Sequence, residues 1–243
     1  MFSSTTRSVV AVAGLAMATA SLAACAPSSS AHGLSVVATT TQICDYVTQI
    51  AARSADISLD KTDAAGKNSH VGAAPDGAAL TMSLTCLLAP NASAHEHEMT
   101  PAQTSALAQA DVMAVSGVDL EHFLDDAVVS SGFKGRMVVT SGVLTAADVD
   151  NPGAPDPEGA YTIDRGGERV DVAPWPFPPE EAGEEPEFRF DPHVWTSPKG
   201  ARIQVANLGA GLAAAAPDAA SSINAATASY LEDIDALDQW AAE

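Results

Sequence analysis

Basic residues are scarce in this chain of 243 residues: Lys and Arg number 11 against 31 Asp and Glu, a formal net charge of −20. A surface of that sign repels nucleic acid and anionic headgroups and draws cations, so nucleic-acid binding is excluded as a function. The motifs of common hydrolases are also missing. There is no H-E-x-x-H pair for a metallohydrolase and no G-x-S-x-G elbow for a serine nucleophile, so an enzyme is not the expectation. Long apolar runs are absent too. The longest, Ser8 to Ala20, is too short and alanine-rich for a membrane span, which needs roughly 20 apolar residues.

What that run does fit is a secretory signal. Arg7 precedes it, and Leu22-Ala23-Ala24-Cys25 follows as a lipobox. Residues 1–24 therefore read as a lipoprotein signal peptide, Cys25 as the lipidation site, and residues 25–33 as a tether. The alternative is an ordinary cleaved signal. The expected location is extracytoplasmic, with a lipid anchor in the cell membrane, at the cell surface or in the periplasm. Cysteine is sparse, with three in all. Once Cys25 is set aside, Cys44 and Cys86 remain in an oxidising compartment, and a disulfide between them is the natural inference, with two buried thiols as the alternative.

Two histidine loops organise the rest. The first is Ser93-Ala94-His95-Glu96-His97-Glu98-Met99-Thr100-Pro101, and the second is Asp191-Pro192-His193-Val194-Trp195-Thr196-Ser197-Pro198. Each runs into a helix start, since Thr100 and Gln103 have capping-box spacing and Ser197 can cap with Pro198 in the first helical position. Loops that a strand delivers and a helix receives gather at the carboxyl edge of an α/β sheet, so the two loops read as one metal site.

Around these loops, apolar runs alternate with helical periods. Strands are expected at Leu34–Thr41, Ala79–Leu88, Asp111–Ser116 and Arg136–Thr140. Helices are expected around Ile43–Ala51, Pro101–Ala110, Leu120–Val128 and from Pro198 to Ala216. That rhythm argues for an α/β fold, a mostly parallel sheet flanked by helices. Arg53–Gly77 reads as a loop carrying a solvated His70. His122 falls with Glu121, Asp125 and Asp126 on the polar side of its helix and reads as solvated. Residues 146–190, rich in proline and acidic residues, read as an insertion outside the core, hanging at the mouth of the histidine site. Ile223, Tyr230, Ile234, Leu237 and Trp240 mark a long terminal helix.

In this order, the pieces around Thr39–Val47, His95 with Glu98-Met99-Thr100-Pro101, Ala110-Asp111-Val112, Gly117-Val118-Asp119-Leu120-Glu121 and Asp191-Pro192-His193-Val194-Trp195 resemble the zinc- and manganese-binding receptors of ATP-binding-cassette importers. The resemblance implies two α/β lobes joined by a long helix with the metal between them. Residues 34–145 and 191–216 would form the first lobe and residues 217–243 the start of the connecting helix. It also implies Zn²⁺ (or Mn²⁺) as the ligand and a membrane permease of the importer as the partner. His95 and His193 take the positions of the family's first-lobe ligands. The family has Asp-Pro where this sequence has Ser93-Ala94, and His97 replaces an aromatic or small residue, so the ligand in that loop is His95 or His97. Asp191 and Glu98 are the candidates to hold the second ring N–H of each imidazole. The family's other ligands come from a second lobe that does not follow here. The expectation is a fragment or interrupted gene product, or a receptor whose second lobe is a separate chain. A surface adhesion lipoprotein without a transport role is the alternative.

Overall fold

A computed structural model of the chain describes Met1 and residues 33–153, 155–156, 159–179 and 183–243. The signal segment after Met1, the lipidation candidate Cys25 and the tether up to residue 32 lie outside the described residues.

The elements run β1 (Leu34–Ala38), α1 (Thr41–Ala52), β2 (Ile57–Thr62), β3 (Asn68–Gly72), β4 (Leu80–Cys86), α2 (Pro101–Ala108), β5 (Val112–Val115), α3 (Leu124–Ser131), β6 (Arg136–Val139), α4 (Ala146–Asp150), β7 (Thr162–Asp164), α5 (Pro198–Ala215) and α6 (Ala220–Ala241). The strands form a seven-stranded sheet in the order β3-β2-β4-β1-β5-β6-β7. Every pairing is parallel except the β2–β3 hairpin. This is the expected α/β architecture.

The period of two along a strand explains how the core divides. In β1, Leu34, Val36 and Ala38 point to the layer built by α1, α5 and α6, while Val37 points to the layer built by α2 and α3. β5 does the same, with Val112 and Ala114 on one face and Met113 and Val115 on the other. Strands buried on both faces read as continuous apolar runs, which is why these central ones were legible. Gly211 in α5 lets that helix lie close on β6, where an added Cβ would meet Val138 Cγ2 at 2.5 Å.

The outer strands depart from the expectation. Arg53–Gly77 is not a loop: it supplies β2 and β3, and His70 lies on β3, exposed and 3.0 Å from Asp60 Oδ1. Only Ile57 and Leu59 carry a buried period in β2, and β3 is a polar edge, so no apolar pattern announced either strand. The acidic segment is likewise more than an appendage. It contributes β7, which pairs with β6, and it buries Val170 and Phe188. Buried Asn207 of α5 ties it down, donating to the carbonyls of Thr140 and Glu168 and accepting from the Glu168 amide. A further tie links Arg136 and Asp164 at 2.9 Å.

Cys44, at the start of α1, and Cys86, at the end of β4, form the expected disulfide. α1 is capped by Thr40, whose hydroxyl accepts from the Ile43 amide. Along α6, Ile223, Ala226 and Ile234 are buried and Tyr230 lies against Tyr46, while Leu237 and Trp240 are exposed. Among the described residues no helix is long and apolar enough to cross a membrane.

Candidate metal centre

The carboxyl ends of β4, β1, β5 and β6 face one way, and the turns that leave them build the site. The loop after β4 delivers His95, where the Ser93 hydroxyl accepts from the His95 amide at 3.2 Å. The turn after β5 is tightly constrained. Gly117 has φ +88°, and a Cβ there would sit 2.1 Å from Val143 O. Val118 and Asp119 follow at φ 57° and 56°. For a β-branched residue that region costs of order 1–3 kcal/mol, so the turn is held by its surroundings. Val118 and Asp119 donate to the carbonyls of Val143 and Leu144 at 2.8 and 3.1 Å.

Glu121 fixes the same turn from below. It was expected on a polar helix face, but it is 5 % exposed. Its carboxylate accepts from the Thr39 hydroxyl at 2.6 Å and from the amides of Ser116 and Gly117 at 2.7 and 3.0 Å. Burial pushes its pKa up, and these donors act the other way. The helix begins only at Leu124, because the turn consumes the residues whose spacing suggested an earlier start.

This turn aims the Leu120 carbonyl at the His95 ring, with Nδ1 to O at 3.1 Å. A carbonyl only accepts, so Nδ1 carries the proton and Nε2 keeps its lone pair. At His193 a side chain of the same turn holds the ring. Asp191 Oδ1 accepts from the His193 backbone amide at 3.0 Å and from its Nδ1 at 2.8 Å. The Asp-Pro-His string is thus an Asx turn that orients its own imidazole. Beyond it a short 3₁₀ turn, Val194–Thr196, leads to Ser197, which caps α5 by accepting from the Gly200 amide.

Two imidazoles prepared in this way lie with ring centroids 5.6 Å apart. With Zn–N of about 2.0–2.1 Å and about 1.1 Å from nitrogen to ring centre, tetrahedral geometry places two bound imidazole centroids about 5.2 Å apart. The observed spacing is within half an ångström of that. A cavity of about 190 Å³ lies beside the pair, lined by Thr41, Gln42, His95, Leu120, His193 and Trp195 among others. Burial lowers the His95 pKa from the ordinary histidine value, and the Leu120 carbonyl opposes this only in part. Among the described residues no group of three or more His, Cys, Asp or Glu side chains is placed to hold one ion.

The other expected contributors lie elsewhere. The His97 ring packs edge-on against Phe123 at 4.9 Å, and its Nε2 is buried without a hydrogen-bond partner. Glu98 is exposed, and it makes no hydrogen bond to either imidazole among the described residues. Leu120 instead supplies the acceptor that Glu98 was expected to provide.

Two residues were missed. Phe188 and Trp175 of the acidic segment close over the histidines, with Phe188 4.7 Å from His95 and Trp175 5.8 Å from His193. The segment is fixed here by backbone bonds from Trp175 to Arg189 and from Asp191 to Ala173. The signal that could have found them is a pair of large aromatics in an otherwise polar, acidic stretch. His122, exposed as its spacing predicts, has its ring 5.8 Å from that of His95.

Residues 78–243 match the family described as zinc-uptake complex component A, periplasmic (ZnuA). Among solved structures, the chain is similar to Zn(II)-bound AdcA from Streptococcus pneumoniae, with a TM-score of 0.52 and 18 % identity over 85 % of this chain and 32 % of that one. The metal-dependent lipoprotein YcdH from Bacillus subtilis gives 0.51 and 18 %, over 85 % and 54 %. A zinc-bound deletion mutant of ZnuA gives 0.52 and 15 %, over 85 % and 56 %. These likenesses are of fold, and the chain spans about half the length of these structures or less. By the match over residues 78–243, the chain belongs to the periplasmic zinc-uptake component A family.

Proposed function

We propose that this chain is the metal-capturing part of an extracytoplasmic receptor that delivers Zn²⁺, with Mn²⁺ as the second candidate, to a membrane permease of an ATP-binding-cassette importer. The observation that carries the reading is the pair His95 and His193, each with Nδ1 held by a protein acceptor and Nε2 without a hydrogen bond among the described residues, with ring centroids 5.6 Å apart. Neutral imidazole suits Zn²⁺ better than Mn²⁺, which prefers oxygen donors. The family match and the net charge of −20, which concentrates cations at the surface, support the same reading.

A closed zinc site has four ligands, so two imidazoles form part of one. We assign the remaining positions to donors beyond this pair, including a second lobe carried by the same polypeptide or by a separate chain. Residues 34–145 and 191–216 form the first lobe in this reading, and α6 forms the start of the interlobe helix. Lipidation at Cys25 would keep the receptor beside its permease. The adhesion reading is less favoured, because Trp175 and Phe188 of the acidic segment turn onto the histidines and not outward to a partner.

Titration of the full chain with Zn²⁺ and Mn²⁺ against a chromophoric chelator tests the proposal. It requires one-to-one Zn²⁺ binding that His95→Ala and His193→Ala each abolish. Zn²⁺ binding unchanged in both variants would overturn it.

A further inference from the structure

We infer that His122 is a further nitrogen ligand for the captured metal, so that this half of the receptor offers three imidazoles. The inference rests on the proposed metal-capture function and adds a residue to its site.

Sequence pattern alone favours a plain account of His122, as a solvated residue beside Asp125 and Asp126. Its position adds a neighbour to that account. The His122 and His95 ring centroids are 5.8 Å apart, against 5.6 Å for His95 and His193. His95 thus has an imidazole on each of two sides, His193 near the roughly 5.2 Å of rings sharing a tetrahedral ion and His122 slightly beyond it. Phe188 joins the group by lying 4.7 Å from His95 and 5.3 Å from His122, as a common apolar wall. The backbone arranges this economically. The turn that presents the Leu120 carbonyl to His95 presents the His122 side chain two residues later, and buried Glu121 between them anchors both.

The three rings do not converge on one point in this conformation. His122 is the one free to turn. It is exposed and makes no side-chain hydrogen bond among the described residues, whereas His95 and His193 are each held through Nδ1. It also faces open space, a cavity of about 400 Å³ that it lines with Asp119, Asp125 and Leu144. Rotation about its side-chain bonds therefore breaks no bond, and coordination replaces contact with water. A third nitrogen donor moves the site towards Zn²⁺ and away from Mn²⁺. It also leaves one position of a tetrahedral zinc open for a donor from elsewhere.

The test is a long-range ¹H–¹⁵N imidazole spectrum of the full chain, labelled at histidine, before and after one equivalent of Zn²⁺. We expect the Nε2 resonances of His95, His193 and His122 to move together, and those of His70, on the far sheet edge, to stay. His122→Ala should weaken Zn²⁺ binding by at least the roughly 10–100-fold that follows loss of an outer partner of a ligand, with an unchanged thermal unfolding curve without metal. If His95 and His193 respond while His122 does not, and His122→Ala binds Zn²⁺ within twofold of the parent, the inference is wrong and the two-histidine site stands. If no ring among the three responds, both are wrong.

Discussion

The Leu120 carbonyl oxygen lies 3.1 Å from Nδ1 of His95 and so sets which nitrogen of that ring can bind a cation. Asp191 does the same for His193 at 2.8 Å, with one oxygen that also holds the backbone amide. Asp191→Ala would release the ring and the turn together. The expected outcome is a loss of Zn²⁺ affinity of roughly 10–100-fold, measured by chelator competition. Asp191→Asn, which keeps an acceptor oxygen, should lose less.

Protons should compete with the metal in a defined direction. Burial lowers the His95 pKa from its ordinary value of 6.5, and it lowers that of His97 as well. Groups with a depressed histidine pKa take up protons on unfolding. Their effect on stability is therefore nil above the ordinary value and becomes destabilising as pH falls below it, through the folded value. Denaturant unfolding of the metal-free chain should show stability falling below about pH 6.5. The fall should be smaller in a His95→Gln, His97→Gln double variant. Metal affinity should decline at lower pH, as it falls through the depressed folded value of His95, because a protonated imidazole cannot coordinate.

The aromatic cover should report binding. Trp175 and Trp195 lie 5.8 and 5.2 Å from His193, whereas Trp240 is exposed near the end of α6. Zn²⁺ should change the tryptophan emission of the parent and of Trp240→Phe. The change should vanish in the Trp175→Phe, Trp195→Phe double variant. A response unaffected by that double substitution would place the metal elsewhere.

Much of this arrangement was readable beforehand, and the limits have physical causes. The central strands β1, β4, β5 and β6 were legible because both their faces are buried, which writes a continuous apolar run. The Thr100–Gln103 capping box and the Ser197 cap were legible because they depend on side chains at fixed spacings. β2 and β3 were not, since a polar edge hairpin is specified by its neighbours. The proximity of His95 and His193 followed from loop placement, but the acceptor for His95 is a backbone carbonyl, which no side-chain pattern encodes. Glu121 was misplaced because three donors, from Thr39, Ser116 and Gly117, make burial of a carboxylate tolerable. The solvated reading of His122 agrees with its exposure, and only the turn shows that it lies beside His95.

Removing that buried carboxylate should be costly. Glu121→Ala strands the Ser116 and Gly117 amides in the interior, at about 1–3 kcal/mol for each unsatisfied donor. Urea unfolding should show a loss of at least about 2 kcal/mol, and Zn²⁺ affinity should fall because Leu120 is no longer aimed.

The disulfide closes a separation of 42 residues between α1 and β4. Reduction should lower stability by about 2–4 kcal/mol through the unfolded chain. Denaturant unfolding with and without reductant measures this. Because neither sulfur belongs to the histidine cluster, a Cys44→Ser, Cys86→Ser double variant should keep a Zn²⁺ stoichiometry of one.

The central claim is that His95 and His193 hold one metal ion, and the X-ray absorption spectrum at the zinc edge of the chain loaded with one equivalent tests it most directly. The account predicts imidazole multiple scattering with Zn–N distances of about 2.0–2.1 Å, lost in the His95→Ala, His193→Ala double variant. A spectrum of zinc bound by oxygen alone, or an imidazole signal that survives the double substitution, would contradict it.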